Sequence, residues 1–187
     1  MANTRAKSQP AETVDVVNAQ EPAETSDVVK AQEPAKKIVP KDIDMNQYVV
    51  VRNGFHGRLV YKSSRTGEKF VWDGFGTEQE MDLKELRNAK NTSKGFFKNN
   101  WFMFDEDWIV DFLGVRQFYK NAVSIDDFDT IFSKSPSELK KLIGSMTAGQ
   151  KKSVAYRAIE MIASGEIDSL KTIAALEEAL GIELTEK

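Results

Sequence analysis

The spacing of apolar residues changes twice along the chain. Before residue 45 large apolar side chains are sparse, and Pro10, Pro22, Pro34 and Pro40 interrupt any helix. From Tyr48 the pattern becomes short, β-branched and aromatic. Tyr48–Arg52, Arg58–Lys62 and Glu68–Trp72 read as strands, and Glu78–Met81 as a fourth. Asn53–Gly57, Ser63–Gly67 and Asp73–Gly76 supply glycine-containing turns between them. This order predicts an antiparallel β-meander with one face in need of cover. Asp82, with Glu85 at the N3 position, opens a helix in an acidic variant of the capping box, and Leu83 and Leu86 lie on its buried side. Phe96 and Phe97 are expected to dock on the sheet, and Trp101–Phe104 to form a short strand or buried connector.

From Asp105 onward the period is helical. Trp108, Ile109, Phe112 and Leu113 form a stripe that Gly114 stops. Ser124 with Asp127 starts a short helix carrying Phe128, Ile131 and Phe132. Ser135-Pro136-Ser137-Glu138 is a strong start signal, with Leu139, Leu142 and Ile143 behind it and Gly144 as the stop. Thr147 with Gln150 caps a helix ending at Gly165, and Asp168 one ending at Gly181. The fold class is therefore α+β. A disordered arm (1–44) precedes a β-meander-plus-helix domain (45–104) and a short-helix bundle (105–187).

The arm is a tandem repeat. Pro10-Ala11-Glu12-Thr13 precedes Asp15-Val16-Val17, and Pro22-Ala23-Glu24-Thr25 precedes Asp27-Val28-Val29. A truncated third copy runs from Gln32 through Pro34-Ala35 into Lys36-Lys37-Ile38-Val39. The period is too short and too polar to build a solenoid core. Val16, Val17, Val28, Val29, Ile38 and Val39 are the candidate partner-binding residues, since short β-branched segments can add to a sheet edge. The simpler reading is a low-complexity tether.

Composition removes several chemistries. The 187 residues contain no cysteine, which excludes disulfides, thiolate nucleophiles and cysteine metal ligands and fits a reducing compartment. The single histidine, His56, lies in a glycine-bracketed turn without a nucleophile pattern around it, so a turn or surface role is expected. Asp105-Glu106-Asp107 with Asp111, and Asp126-Asp127 with Asp129, lack the central glycine of a calcium loop and read as helix caps plus a solvated face. Gly54–Gly57 and Gly74–Gly76 lack the spacing of a phosphate cradle. The expectation is a protein without enzymatic activity, cofactor or metal. No apolar run approaches the length of a membrane span, and the polar N-terminus carries no secretory signature.

Charge is segregated. Residues 1–46 carry six basic and eight acidic side chains, 47–104 ten and six, and 105–187 ten and fifteen. Complementary contacts, within the chain or between copies, would suit that distribution. Within the basic middle, Arg87, Lys90, Lys94 and Lys98 alternate with Phe96, Phe97 and Trp101, a weaker candidate for single-stranded nucleic acid. The same aromatics are what a small sheet needs for its core. The turn Ala163–Ile167 has helix-turn-helix length, but the last helix is alanine-rich and acidic, so a structural bundle is expected.

Val50-Val51-Arg52-Asn53-Gly54, Gly57-Arg58-Leu59-Val60-Tyr61 and Arg65-Thr66-Gly67-Glu68-Lys69-Phe70-Val71-Trp72 resemble small structural proteins of tailed bacteriophages of low-GC Gram-positive hosts. Met81–Leu86, Phe97–Phe104, Gln150–Ala158 and Leu176–Leu184 continue the likeness, which spans about residues 47–184 and leaves out the arm. The resemblance implies a non-enzymatic virion component made in the host cytoplasm. Its partners would be other virion proteins, with a homo-oligomer possible and neither nucleic acid nor membrane expected. It carries no functional residues with it. The alternative function is a nucleic-acid-binding or host-takeover regulator.

Overall fold

The computed structural model describes residue 40 and residues 42–185. The expected disorder of the arm and the candidates Val16, Val17, Val28, Val29, Ile38 and Val39 lie outside the described residues. What is described belongs to one compact unit.

The class is α+β with antiparallel pairing throughout. Strand β1 (Tyr48–Asn53) alternates, with Val49, Val51 and Asn53 buried and Tyr48 and Val50 facing solvent. The strand order departs from a meander. β1 is central, flanked by β4 (Glu78–Asp82) in the register Tyr48↔Asp82 to Arg52↔Glu78 and by β5 (Phe102–Met103). β2 (Leu59–Lys62) and β3 (Lys69–Trp72) form a separate hairpin. The cause lies just after β1. Gly54 N–H donates to Trp101 O rather than to a strand partner. The Asn53 amide donates to Gly57 O and Gly74 O, both at 2.8 Å, which holds the two loops away from a β1–β2 turn. Two side chains tie the hairpin back: Trp72 Nε1 donates to Val51 O (2.8 Å) and Gln79 Nε2 to Val71 O (3.0 Å).

Helix α1 (Leu83–Thr92) is capped by Asp82, whose carboxylate accepts from Glu85 N–H. Two more of its free N–H groups are used by the chain entering β1: Leu83 N–H donates to Gln47 O and Lys84 N–H to Met45 O. Glu85 does not complete the capping box. Its buried carboxylate instead accepts from Tyr61 Oη (2.7 Å), Arg65 Nε (2.9 Å) and Asn88 Nδ2 (3.0 Å). Burial opposes that charge, but hydrogen bonds from Tyr61, Asn88, Ser63 and Arg65 outweigh it and hold the carboxyl below its ordinary value.

The chain continues through a single turn, α2 (Gly95–Lys98), to β5 and α3 (Asp107–Leu113). The first core gathers Val49, Val51, Tyr61, Trp72, Met81, Leu86, Phe97 and Phe102, and also Ile109, Val110, Leu113 and Val115. The boundary expected at residue 104 therefore falls inside this core. Once β5 pairs with β1, the α3 stripe is delivered back onto the same apolar surface.

The second core forms around a 3₁₀ segment (Phe128–Ser133), α4 (Pro136–Ser145), α5 (Ala148–Ala163) and α6 (Leu170–Leu180), with Phe128, Ile131, Leu139, Ile143, Val154 and Leu176 inside. Ser135 and Glu138 form the full capping box at α4, and Thr147 caps α5. Two boundaries differ from expectation. α4 runs past Gly144 to Ser145, and α6 is capped by Ser169, whose hydroxyl accepts from Thr172 N–H, rather than by Asp168.

The two cores meet at close backbone contacts. A Cβ on Gly149 would lie 2.1 Å from Asn99 O, and beside it, between β1 and β5, one on Gly54 would lie 2.1 Å from Asn100 O. Ser153 Oγ, in α5, donates to Gly54 O (3.0 Å) and accepts from His56 N–H (3.1 Å). Asn100 is fully buried with φ of 54°, a left-handed conformation that asparagine tolerates better than most residues. Its amide donates to Phe118 O (3.0 Å) and accepts from Thr147 Oγ1 (2.9 Å).

Candidate functional site

Three of the four basic candidates converge. Lys90 lies in the last turn of α1, Lys94 at the N-cap of α2 and Lys98 at its end. The spacing of four survives the short break at Ser93, because α2 resumes at once. α3 ends beneath them at Gly114, whose φ of 67° reverses the chain. Together Lys90, Lys94, Phe97, Lys98, Gly114, Val115, Gln117 and Phe118 enclose a cavity of about 190 Å³. No ion pair among the described residues involves Lys90, Lys94 or Lys98. Arg87, the fourth candidate, lies apart, with its guanidinium 5.2 Å from the centre of the Phe112 ring.

The aromatics of this stretch pack into the first core or against it. Phe97 is fully buried between Phe102 and Phe104. Phe96 packs against Tyr61, Trp101 and Phe102. The lysines therefore supply positive charge without the stacking platform that single-stranded nucleic acid uses. Gln117, Val115 and Phe118 were not signalled by the sequence. They lie some twenty residues beyond Lys98, and only the return of α3 brings them in.

A second polar cluster spans the junction of the cores. Arg52 contacts Asp105 (3.1 Å), Asp126 (3.2 Å) and Glu78 (3.6 Å). Arg157 contacts Asp129 (2.8 Å) and Glu160 (3.5 Å). His56, stacked on Phe75 at 5.5 Å, lines an open cavity of about 440 Å³ with Phe75, Ile125, Asp126, Asp129 and Arg157. It does lie in a turn as expected, but its ring is mostly enclosed rather than at the surface. Its Nε2 is 3.8 Å from Glu160, beyond hydrogen-bond reach. The acidic clusters are more than caps. Asp126 binds Arg52 across the junction, while Asp105 binds it from within the first core and Asp129 binds Arg157 within the second, and Asp107 and Asp111 clamp Arg116 at 3.2 and 2.8 Å. Among the described residues no group of acidic or histidine side chains is placed to hold a metal ion.

A third concavity, about 420 Å³, lies between β3 and β4. Val50 and Phe70 line it with Glu68, Lys69, Glu78, Gln79 and Glu80. Tyr48 beside it is 65% exposed, on the outward row of β1. Among the described residues no helix is long and apolar enough to cross a membrane. Comparison with known protein families, with characterised proteins and with solved structures returns no match for this chain.

Proposed function

We propose that this chain is a non-enzymatic structural or assembly component of a tailed bacteriophage particle. It would sit at the capsid surface, the portal–tail junction or the tail, and bind neighbouring subunits through its β face and its repeat arm. The observation that carries the reading is the outward row of β1. Tyr48 and Val50 expose apolar surface beside a groove whose rim is mainly glutamate, next to the point where the arm joins the body. The ionic groups at the core junction support it too, because Arg52 and Arg157 are already neutralised by carboxylates that hold the fold together. Mass spectrometry of purified particles is the test. The chain should appear at stoichiometric level, and its absence would sink the reading.

A nucleic-acid-binding or regulatory role is the second reading, favoured by lysines around the 190 Å³ cavity that form no ion pair among the described residues. A gel shift titrated with salt tests it, and no retardation at low ionic strength removes it.

A further inference from the structure

The lysine pocket is built and charged, yet nothing in the described body neutralises it. Its ligand must bring negative charge together with a small apolar group, because Val115 and Phe118 form part of the wall. The cavity of about 190 Å³ falls below the roughly 300–1,000 Å³ of small-molecule sites, so it suits one or two side chains.

The arm carries that combination twice. Ala11-Glu12-Thr13-Val14-Asp15-Val16-Val17 and Ala23-Glu24-Thr25-Ser26-Asp27-Val28-Val29 place two acids three residues apart, followed by two valines. In the third repeat Lys36 and Val39 occupy the positions of those acids, so the motif ends there. Residues 1–35 hold six acidic and three basic side chains, opposite in sign to the pocket.

We propose that the pocket formed by Lys90, Lys94 and Lys98 is the docking site for the acidic Glu-Thr-x-Asp-Val-Val segments in the arm of a neighbouring copy of this chain. The inference rests on the assembly reading above. Two motifs per arm face one such pocket per body among the described residues, so an arm with both motifs engaged must reach a second body. The reach is sufficient. Asp27 and Asp15 precede Tyr48 by 21 and 33 residues, and an extended chain covers about 3.3 Å per residue, or roughly 70 and 110 Å. Repetition of a weak ligand on one tether raises the effective concentration of the second contact.

A charge-swap experiment on the full chain tests this, read by sedimentation velocity at low and physiological salt. The wild-type chain should self-associate, less so as salt rises. Lys94→Glu with Lys98→Glu, or Asp15→Lys with Asp27→Lys, should each weaken self-association by about tenfold or more. An equimolar mixture of the two variants should recover it, because each then meets the opposite charge. Lys94 and Lys98 are exposed, and a circular dichroism melt checks that the fold is intact. Lys94→Gln with Lys98→Gln is the milder second variant. A monomeric wild type, unchanged variants or a mixture that does not recover overturns the inference. So does loss of oligonucleotide binding in the lysine variant with self-association untouched, which would assign the pocket to nucleic acid. A monomeric chain still present in purified particles would overturn this inference alone, whereas absence from particles would overturn the assembly reading.

Discussion

Two groups of cations lie on this body, and they are treated in opposite ways. Arg52 and Arg157, at the junction of the cores, are mostly covered and each contacts at least two carboxylates. Lys90, Lys94 and Lys98 surround a cavity and pair with no carboxylate among the described residues. A charge taken out of water needs partners, so the arginines mark where the fold spends its ion pairs. A charge left in water without partners costs the fold little and is free to meet something else. The junction therefore serves stability, the pocket serves recognition on the proposal made above, and substitutions should separate them.

The largest effect is expected where the cores touch. Gly149→Ala forces a methyl group against Asn99 O, with backbone on both sides. It should cost about 3 kcal/mol or more in urea-unfolding free energy. Asn100→Ala comes next, at about 2–3 kcal/mol, since it removes hydrogen bonds to Phe118 and Thr147 and leaves alanine at positive φ. Arg52→Met should cost about 1–2 kcal/mol, well short of a fully buried pair, because its partners Asp105 and Asp126 remain largely in water.

Acid sharpens the same contrast. The Glu85 carboxyl is held below its ordinary value in the folded chain, so its contribution is present above the unfolded pKa and is lost as pH falls through the lowered folded one. Urea midpoints measured from neutral to acidic pH should fall across that window. Tyr61→Phe, which removes one of the hydrogen bonds responsible, should move the fall to higher pH. The smallest effect belongs to the pocket. Lys94→Gln with Lys98→Gln should change stability by no more than about 0.5 kcal/mol. A large loss there would erase the distinction between the two cation groups.

What was legible in the sequence was local. Asp82, Ser135 with Glu138, and Thr147 announce helix starts because a cap and its partner are three residues apart. The strand segments were legible from alternation, but not which strands pair, because that depends on Asn53 bridging to Gly57 and Gly74. The α2 turn and the 3₁₀ turn at Arg116–Phe118 are too short to generate a period. The lysine row was visible because four-residue spacing carries across the α1–α2 break. Its cavity was not, since Val115 and Phe118 arrive only when α3 folds back. The ion pair of Arg52 with Asp126 joins residues 74 apart and leaves no local trace. Asp168 and Ser169 are adjacent and both good capping residues, and only the side-chain geometry assigns the α6 cap to Ser169.

The entry of the chain into β1 has a mechanical meaning. Tension on the arm arrives at Met45 and Gln47, whose carbonyls are held by the first turn of α1, and passes into a strand paired on both sides. A pull along that strand loads the rungs of two ladders together, in shear, instead of opening them one after another like a zip. The body is thus gripped at a strand suited to bearing load.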